Sequence, residues 1–466
     1  MLHRPPVRSG PASPESGAAL LLAFLVLIVL VAIVYQINTV TQTDARVTRN
    51  EITRSQMDHA IKSVLMQMYE DLAEDGRGAQ ASEEGAGGAG DLGGDGAAAA
   101  GGGEEGGPPR NPDSVDSQMD RWFTPQSTNF GDIQIRIFVR DENSKYNVLN
   151  MLNEDEELAE DAFQRVVRIL VNCRGETDFE ISQGDAEEMA TAMRDYMIDR
   201  RSMADAPSAN FLTGDEENED RVLPLSFREF RTLEPFEDNM FRDFFSEDDE
   251  RIHSLEAYFT VFSSPAVGSE EVNSGVPIAD GGWGVNVNTA PHAVLSGLID
   301  GRELDFRIWD EIREYRNEEE EPLEEEENED GLDAVESEPL TDEFGEDIIQ
   351  KKIFDSLDEL DELNEFKDLG PEEKTTVRDV LAVESQVFEI ILAARISTAA
   401  DAEQRLEFET RREQEEYFRS GKHLVRIVRS VVWRRSTEDD VVVVPLIPWE
   451  VIDNAPLQVL DYPPDE

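Results

Sequence analysis

The chain holds a single cysteine, Cys173, so no disulfide can form within it. Its five histidines, His3, His59, His253, His292 and His423, are scattered, without the ligand spacing of a zinc site. Positive charge is scarce: 42 Lys and Arg stand against 103 Asp and Glu, a net charge of −61 over 466 residues. A phosphate-binding surface must be basic, so nucleic acid is excluded as a natural partner. Such an acidic excess gives solubility by self-repulsion or draws counter-charge from cations. A nucleophile elbow, an H-E-x-x-H pair and a phosphate loop are all absent. Gly85–Gly90 spells G-x-G-x-x-G, but it lies in low complexity and follows no strand. Carboxylate pairs occur throughout and so point to no acid–base chemistry; the expectation is a protein that is not an enzyme. Proline and glycine are also missing between Ala18 and Asp75. What remains, 39% apolar residues over this length, suffices for a packed core and two or three domains.

The longest apolar run is at the start. Residues 18–34 read AALLLAFLVLIVLVAIV, and the run to about Ile37 approaches the ~20 residues that span a bilayer as a helix. A cleaved secretory signal has a shorter apolar core, roughly 7–15 residues, followed by a small-x-small site. Here bulky Tyr35, Gln36 and Ile37 follow, which favours a retained anchor. His3, Arg4 and Arg8 precede the run and the acidic bulk follows it, which places the N-terminus in the cytoplasm and the body outside. Helical spacing continues through Ile37, Val40, Val47, Ile52, Ala60, Ile61, Val64, Leu65, Met68 and Leu72. One helix from Ala18 to Asp75, ended by Gly76, would reach roughly 85 Å.

Residues 76–113 are Gly/Ala-rich and acidic and read as a linker. Residues 132–139, DIQIRIFV, alternate as a strand. Amphipathic helices are expected at 154–172 and 185–199, shorter helical patterns at 226–232 and 237–245, and a strand at 256–263. An acidic insertion spans 314–347, where so dense a run of like charge should stay solvated. A short helix at 348–363 and a segment at 371–382 come next. Strands then close the chain at 386–396, 423–435 and 440–447. The fold class is α+β. Cys173, at an apolar helix end, reads as an inert buried thiol.

Two segments place Asn between apolar residues just before a helix: DENSKYNVLNML at 141–152 and GVNVNTAPHAVLSGL at 284–298. The local reading is capping, by Asn150 or Asn153 for the helix at 154–170, and by Asn288 or Thr289 for a helix with Pro291 in its first turn. Together with the apolar start, these segments carry a resemblance. The chain resembles the K-type minor pseudopilins of type II secretion systems, the general secretion pathway protein K family. Asp141, Glu142, Asn147 and Asn150 match that family's D-E-x-x-x-x-N-x-N-like motif, with one extra residue before the second Asn. Asn286, Val287, Asn288, Thr289, Ala290 and Pro291 match its N-V-N-T-A-P segment, with Leu295 and Leu298 on the helix beyond. Ser385 to Phe388 match its S-x-x-F segment. Gly17 stands where a prepilin peptidase cuts, leaving Ala18 as the new N-terminus. Pilin-like proteins in general carry Glu at the fifth mature position; here it is Leu22, which fits the K-type branch, whose members typically lack that Glu. That Glu would pair with a neighbouring subunit's amine inside the bilayer, and a subunit at the tip can forgo it.

The resemblance implies a pilin-like fold: a long N-terminal helix with a membrane-spanning first half, an antiparallel sheet, and a large inserted α-helical domain. The implied organisation is a leader at 1–17, the membrane-spanning and extended helix at 18–75, a linker at 76–117, and the first part of the sheet at 118–150. The inserted helical domain follows at 151–285, then a helical and strand segment at 286–400 with the acidic insertion at 314–347, and the β-rich part at 401–466. The implied function is to cap the tip of the type II pseudopilus and start its assembly, in support of export of folded proteins across the outer membrane. The implied partners are the I- and J-type minor pseudopilins, the major pseudopilin, prepilin peptidase and the inner membrane, with the body periplasmic. A membrane-anchored acidic binding or adhesion protein, or a minor pilin of a type IV pilus, are the alternative readings. Family members bind calcium, which prefers hard oxygen ligands, so Asp141, Asp195, Asp199, Asp205 and Asp215 are the candidates. No EF-hand is present, since Asp141-x-Asn143-x-Lys145 fails at its third ligand.

Overall fold

A computed structural model describes residues 14–86, 115–153, 155–175, 177–201, 226–246, 250–262, 284–318, 351–396, 410, 412–413, 425–436, 440–453 and 456–457. The chain divides into an N-terminal unit, Met1–His59, and a body, Ala60–Glu466. The first helix, α1 (Pro14–Ala86), contributes to both.

Within the N-terminal unit, every residue from Leu21 to Ile52 is exposed, including Leu22, Phe24, Leu27 and Val34. By length and composition this part of the helix could cross a membrane. Just past the apolar run, Thr39, Thr41 and Thr43 donate their hydroxyls to the carbonyls of Tyr35, Ile37 and Thr39. A threonine satisfied by the preceding turn can sit in a helix without seeking water.

Within the body α1 becomes amphipathic. Ala60, Ile61, Val64, Leu65, Met68, Leu72 and Ala73 are buried, while Lys62, Ser63, Met66, Gln67 and Glu70 are exposed, which is a one-sided stripe. The helix does not stop at Asp75. Gly76 continues it, because a Cβ there would lie 3.0 Å from both Arg434 Cδ and Val441 Cγ1. This glycine answers a close approach rather than a helix end, and the expected stop at Gly76 is corrected.

A five-stranded antiparallel sheet carries α1. Its strands are β1 (Gln126–Phe130), β2 (Ile133–Asp141), β9 (Val387–Ile396), β10 (Val425–Ser436) and β11 (Val441–Val451), in that order across the sheet. Tyr69 bonds Ser430 of β10 at 2.7 Å, and Lys62 stands over the Trp449 ring of β11, so α1 lies on one face. On the opposite face Val387, Val431, Trp433 and Leu446 join the core of the helical part. Central β9 is thus covered on both sides. Its residues Val387–Ala394 are all buried, and the period-two pattern of a one-sided strand is lost.

β2 and β9 are neighbours in the sheet, in register from Ile133↔Ile396 to Asp141↔Phe388. Everything between them in sequence is therefore an insertion. It contains β3 (Tyr146–Asn147), α2 (Glu156–Asn172), α3 (Gln183–Arg201), β4 (Phe244–Phe245), β5 (Arg251–Ile252), β6 (Phe259–Thr260) and β7 (Val285–Asn286), followed by α4 (His292–Leu298), α5 (Arg307–Asn317), α6 (Asn364–Lys367), α7 (Pro371–Asp379) and β8 (Leu381–Ala382). β3 pairs with β6, β4 with β5, and β7 with β8. The mixed α+β fold is as expected, with a larger insertion than residues 151–285.

Several local expectations differ. The cap of α2 is Asp155, whose side chain accepts from the amides of Glu157 and Leu158; Asn153 instead accepts from Asp155 N, and Asn150 lies in a 3-10 turn, Val148–Leu152. The helical patterns at 226–232 and 237–245 are 3-10 turns, Phe227–Thr232 and Asp238–Phe241, the latter followed by β4. The expected strand at 256–263 is a 3-10 turn at Leu255–Ala257 and then β6. Aromatic packing accounts for this. Phe227 stacks on Phe259 at 5.6 Å and meets Phe230 edge-on at 5.2 Å, and short turns aim several rings at one centre where a regular helix could not. The helix expected at 348–363 is a 3-10 turn, Leu357–Glu362, within the described residues. The acidic insertion, expected from 314, starts after α5; residues 319–350 lie outside the described residues, as does 87–114 of the expected linker.

Candidate functional site

The matched segments meet at one buried point at the root of the insertion. Asp141 ends β2, and β7 brings Asn286, with Thr289 in the turn after it. Ser385 sits two residues before β9. All are buried. Asp141 Oδ2 accepts from Ser385 Oγ at 2.6 Å, Thr289 Oγ1 at 2.5 Å and Asn286 Nδ2 at 3.2 Å, and its Oδ1 accepts from Asn143 N at 2.7 Å. Asn286 Nδ2 also donates to Ser385 Oγ at 2.7 Å and to the Asp116 carbonyl at 3.0 Å. Asn143 completes the seal: its Oδ1 accepts from the amides of Gln386 and of Val387, the first residue of β9. Burial pushes the Asp141 carboxyl above its ordinary pKa, while the Ser385 and Thr289 donors pull it down. Four donors on two oxygens leave this carboxylate committed to holding chain segments together.

Asn288 or Thr289 was expected to cap the helix that follows, and the structure corrects that. Thr289 donates its hydroxyl to Asp141 and accepts from no α4 amide; α4 begins at His292 with Pro291 at its N-cap and no side-chain cap. Asn288 exchanges two bonds with the Phe354 backbone, at 3.0 and 2.8 Å, and so imitates a strand partner. Asn147 does cap a turn, accepting from Leu149 N at 2.9 Å. Phe388 of the S-x-x-F match meets Trp122 edge-on at 5.0 Å. Leu295 and Leu298 of α4 are buried in the insertion core, where Gly297 passes so close to Ile169 of α2 that a Cβ would lie 2.3 Å from its Cγ1.

Sequence reasoning missed the next layer. Arg434 of β10 bonds Asp75 of α1 at 2.7 Å, both oxygens of Asp116 at 2.7 and 2.6 Å, and the Ser385 carbonyl at 2.8 Å. One guanidinium thus joins helix, sheet and insertion. Asp120 lies beside it, accepting from Ser117 N at 2.6 Å. Burial pushes Asp116 up to about 7 against the pull of Arg434, and burial with the charges of Asp116 and Asp75 pushes Asp120 up to about 8. Asp75 and Asp116 bond the one guanidinium and Asp120 stands beside them, so Asp116 and Asp120 hold their protons more tightly than exposed carboxylates do.

A second, charged junction lies where the sheet meets the insertion. Arg429 Nη1 reaches Glu389 at 3.2 Å and Glu256 at 3.4 Å, its Nε pairs with Glu450 at 2.9 Å, and its Nη2 donates to Ser226 Oγ at 2.8 Å. Arg228 forks onto Glu256 at 2.7 and 2.9 Å. Burial works against the Glu389 carboxylate, but Lys145, Arg429, Arg140 and Arg228 outweigh it and hold its pKa down at about 2. Glu142 of the first matched segment belongs here, paired with Lys145; burial and the Glu389 charge raise its pKa. The signal was in the sequence: a charge inside an apolar strand, as in VFEIILAARI or VRIVRSVVWRRS, must be paired if buried.

The other candidates do not gather. Gly17 and Ala18 lie on the backbone of α1. Asp195 and Asp199 are exposed, one turn apart on α3, and Asp205 and Asp215 lie outside the described residues. Among the described residues no three His, Cys, Asp or Glu side chains are grouped to hold a metal ion, and the oxygens of Asp141 are taken by donors. Cys173 donates to the Leu170 carbonyl at 3.2 Å, and burial pushes its thiol up to about 12, so it stays unreactive.

No protein-family model matches the chain, and no curated protein matches it. Among solved structures, the chain is similar to one in the crystal structure of the GspK-GspI-GspJ complex from the type 2 secretion system of enterotoxigenic Escherichia coli. The similarity covers 86% of this chain and 97% of that one, at 10% identity and a TM-score of 0.40.

Proposed function

We propose that the chain is a minor pseudopilin of the K type, anchored in the inner membrane, that caps a type II secretion pseudopilus and starts its assembly. The observation that carries this reading is α1. One helix holds an all-round exposed apolar stretch and, further on, a one-sided stripe buried against an antiparallel sheet. A helix apolar on every side needs an apolar phase or other helices around it. The leader, with Gly17 before the apolar run, supports processing by prepilin peptidase, which leaves Ala18 first and the body in the periplasm. Leu22 in place of Glu supports a position with no subunit ahead. The insertion between adjacent strands β2 and β9 supports the same position, since its bulk projects from a sheet edge-to-edge complete without it.

The partners are then the I- and J-type minor pseudopilins, with the major pseudopilin below them. Affinity purification of the full chain from native membranes tests this. Stoichiometric recovery of both minor pseudopilins supports the reading. Recovery of type IV pilus subunits, or of none, contradicts it.

A further inference from the structure

The two edges of the five-stranded sheet are built differently. β11 closes one edge with its own sequence: Pro445 and Pro448 carry no N–H, and its pairing with β10 shifts register between Arg429 and Val431 and again between Val431 and Val432. Prolines and bulges are common means of stopping edge-to-edge association. β1, at the other edge, has neither. It pairs with β2 without a break from Gln126↔Ile137 to Phe130↔Ile133, and its residues, QSTNF, include no proline and no charge. From Arg121 to Gly131 the chain has no Asp or Glu, although 103 of its 466 residues are acidic, so charge does not guard this edge either.

The hairpin register sets which main-chain groups face outward. Gly131, at φ +64°, and Asp132 form a two-residue turn, which Phe130 and Ile133 close as a hydrogen-bonded pair. Bonded and non-bonded pairs alternate along an antiparallel ladder. Thr128 and Gln126 therefore also bond β2, and the N–H and C=O of Ser127 and Asn129 point away from it. Among the described residues nothing takes these four groups. Ser127 and Asn129 are exposed on one face of the strand and Phe130 on the other, so neither α1 nor the insertion covers it.

We propose that the edge of β1 takes an extended segment of a different polypeptide as a sixth strand of the sheet. The edge defines the occupant's chemistry. Its N–H and C=O groups meet those of Ser127 and Asn129, and β-branched side chains suit the places beside Thr128 and Phe130. It is neutral or basic, because a net charge of −61 repels an acidic strand. The same repulsion disfavours a second copy of this chain. Such pairing needs no place in a filament.

Fluorescence polarisation on the full chain in detergent tests this with a labelled, end-blocked peptide, Lys-Thr-Val-Thr-Val-Thr-Lys. The control is the same peptide with its five central amides N-methylated, which keeps side chains and charge and removes the donors. The unmethylated peptide should bind at least about tenfold more tightly. Ser127→Pro removes one outward N–H and leaves the ladder to β2 intact; it should unfold at the same temperature as the parent chain and lose that preference. A benzophenone at the central valine should crosslink to residues 126–130, which decides the site even if Ser127→Pro fails to fold. No binding up to about 1 mM, equal binding of both peptides, or crosslinks confined to other segments would overturn the proposal. So would sedimentation showing a dimer of the full chain that Ser127→Pro dissociates, which would assign the edge to a second copy.

Discussion

The two units of this chain invert each other's chemistry. In the N-terminal unit the apolar side chains are outside: Leu21, Phe24, Leu27 and Val34 are each at least half exposed. In the body even charge is inside: Asp141, Glu389 and Arg429 are each at most 3% exposed. These three charges are met from the chain's own sequence, through Asn286, Thr289, Ser385, Lys145 and Glu256. The N-terminal helix has not satisfied its apolar surface, and something outside the chain must. Internally paired charge in one unit and uncovered apolar surface in the other are what the proposed membrane-anchored subunit would need.

Breaking the body's side of this comparison should cost most. Asp141→Ala strips the acceptor from Ser385, Thr289 and Asn286 at once, and should lower stability by about 3–5 kcal/mol, read by denaturant unfolding of the body. Leu65→Ala, in the buried stripe of α1, should cost about 2–4 kcal/mol by leaving a cavity.

The matched segments show how far sequence reaches. The N-V-N-T-A-P block stood out locally, and its position before a helix was legible. Its partners were not, because Asp141 and Ser385 lie some hundred or more residues away and a local pattern carries no record of them. Capping was the nearest local explanation for Asn and Thr, and the tertiary bonds displaced it. Strands β2, β9, β10 and β11 were readable from β-branched runs, whereas the Phe-rich stretch from 226 to 262 misled, since its period comes from rings converging on one centre. Asp116 and Arg434 gave no local sign of belonging together.

A third test sharpens the comparison through pH. Asp116 and Asp120 have folded pKa values raised to about 7 and about 8, well above the ordinary carboxylate value. The folded state then holds more protons than the unfolded state, so this contribution is full below pH 4 and is lost as pH rises through 7 to 8. Asp120→Asn keeps an acceptor for Ser117 N and removes the charge. It should flatten the decline between pH 6 and 9 and raise stability at pH 9 by about 1–2 kcal/mol, measured by thermal unfolding across that range. A variant that loses stability at pH 9 would contradict the raised Asp120 carboxyl.

The smallest effect should come from the N-terminal unit. Leu27→Ala removes as much apolar surface as Leu65→Ala, yet should change the stability of the body by no more than about 0.5 kcal/mol. A loss comparable to that of Leu65→Ala would mean that Leu27 supports the body itself.

The sequence of the mature N-terminus, read from protein isolated from native membranes, tests the central claim most directly. An N-terminus at Ala18, lost in a Gly17→Ala variant that keeps its leader, is the predicted result. A mature chain that still begins at Met1, or one cut beyond the apolar run, would contradict the assignment of α1 to a pseudopilus.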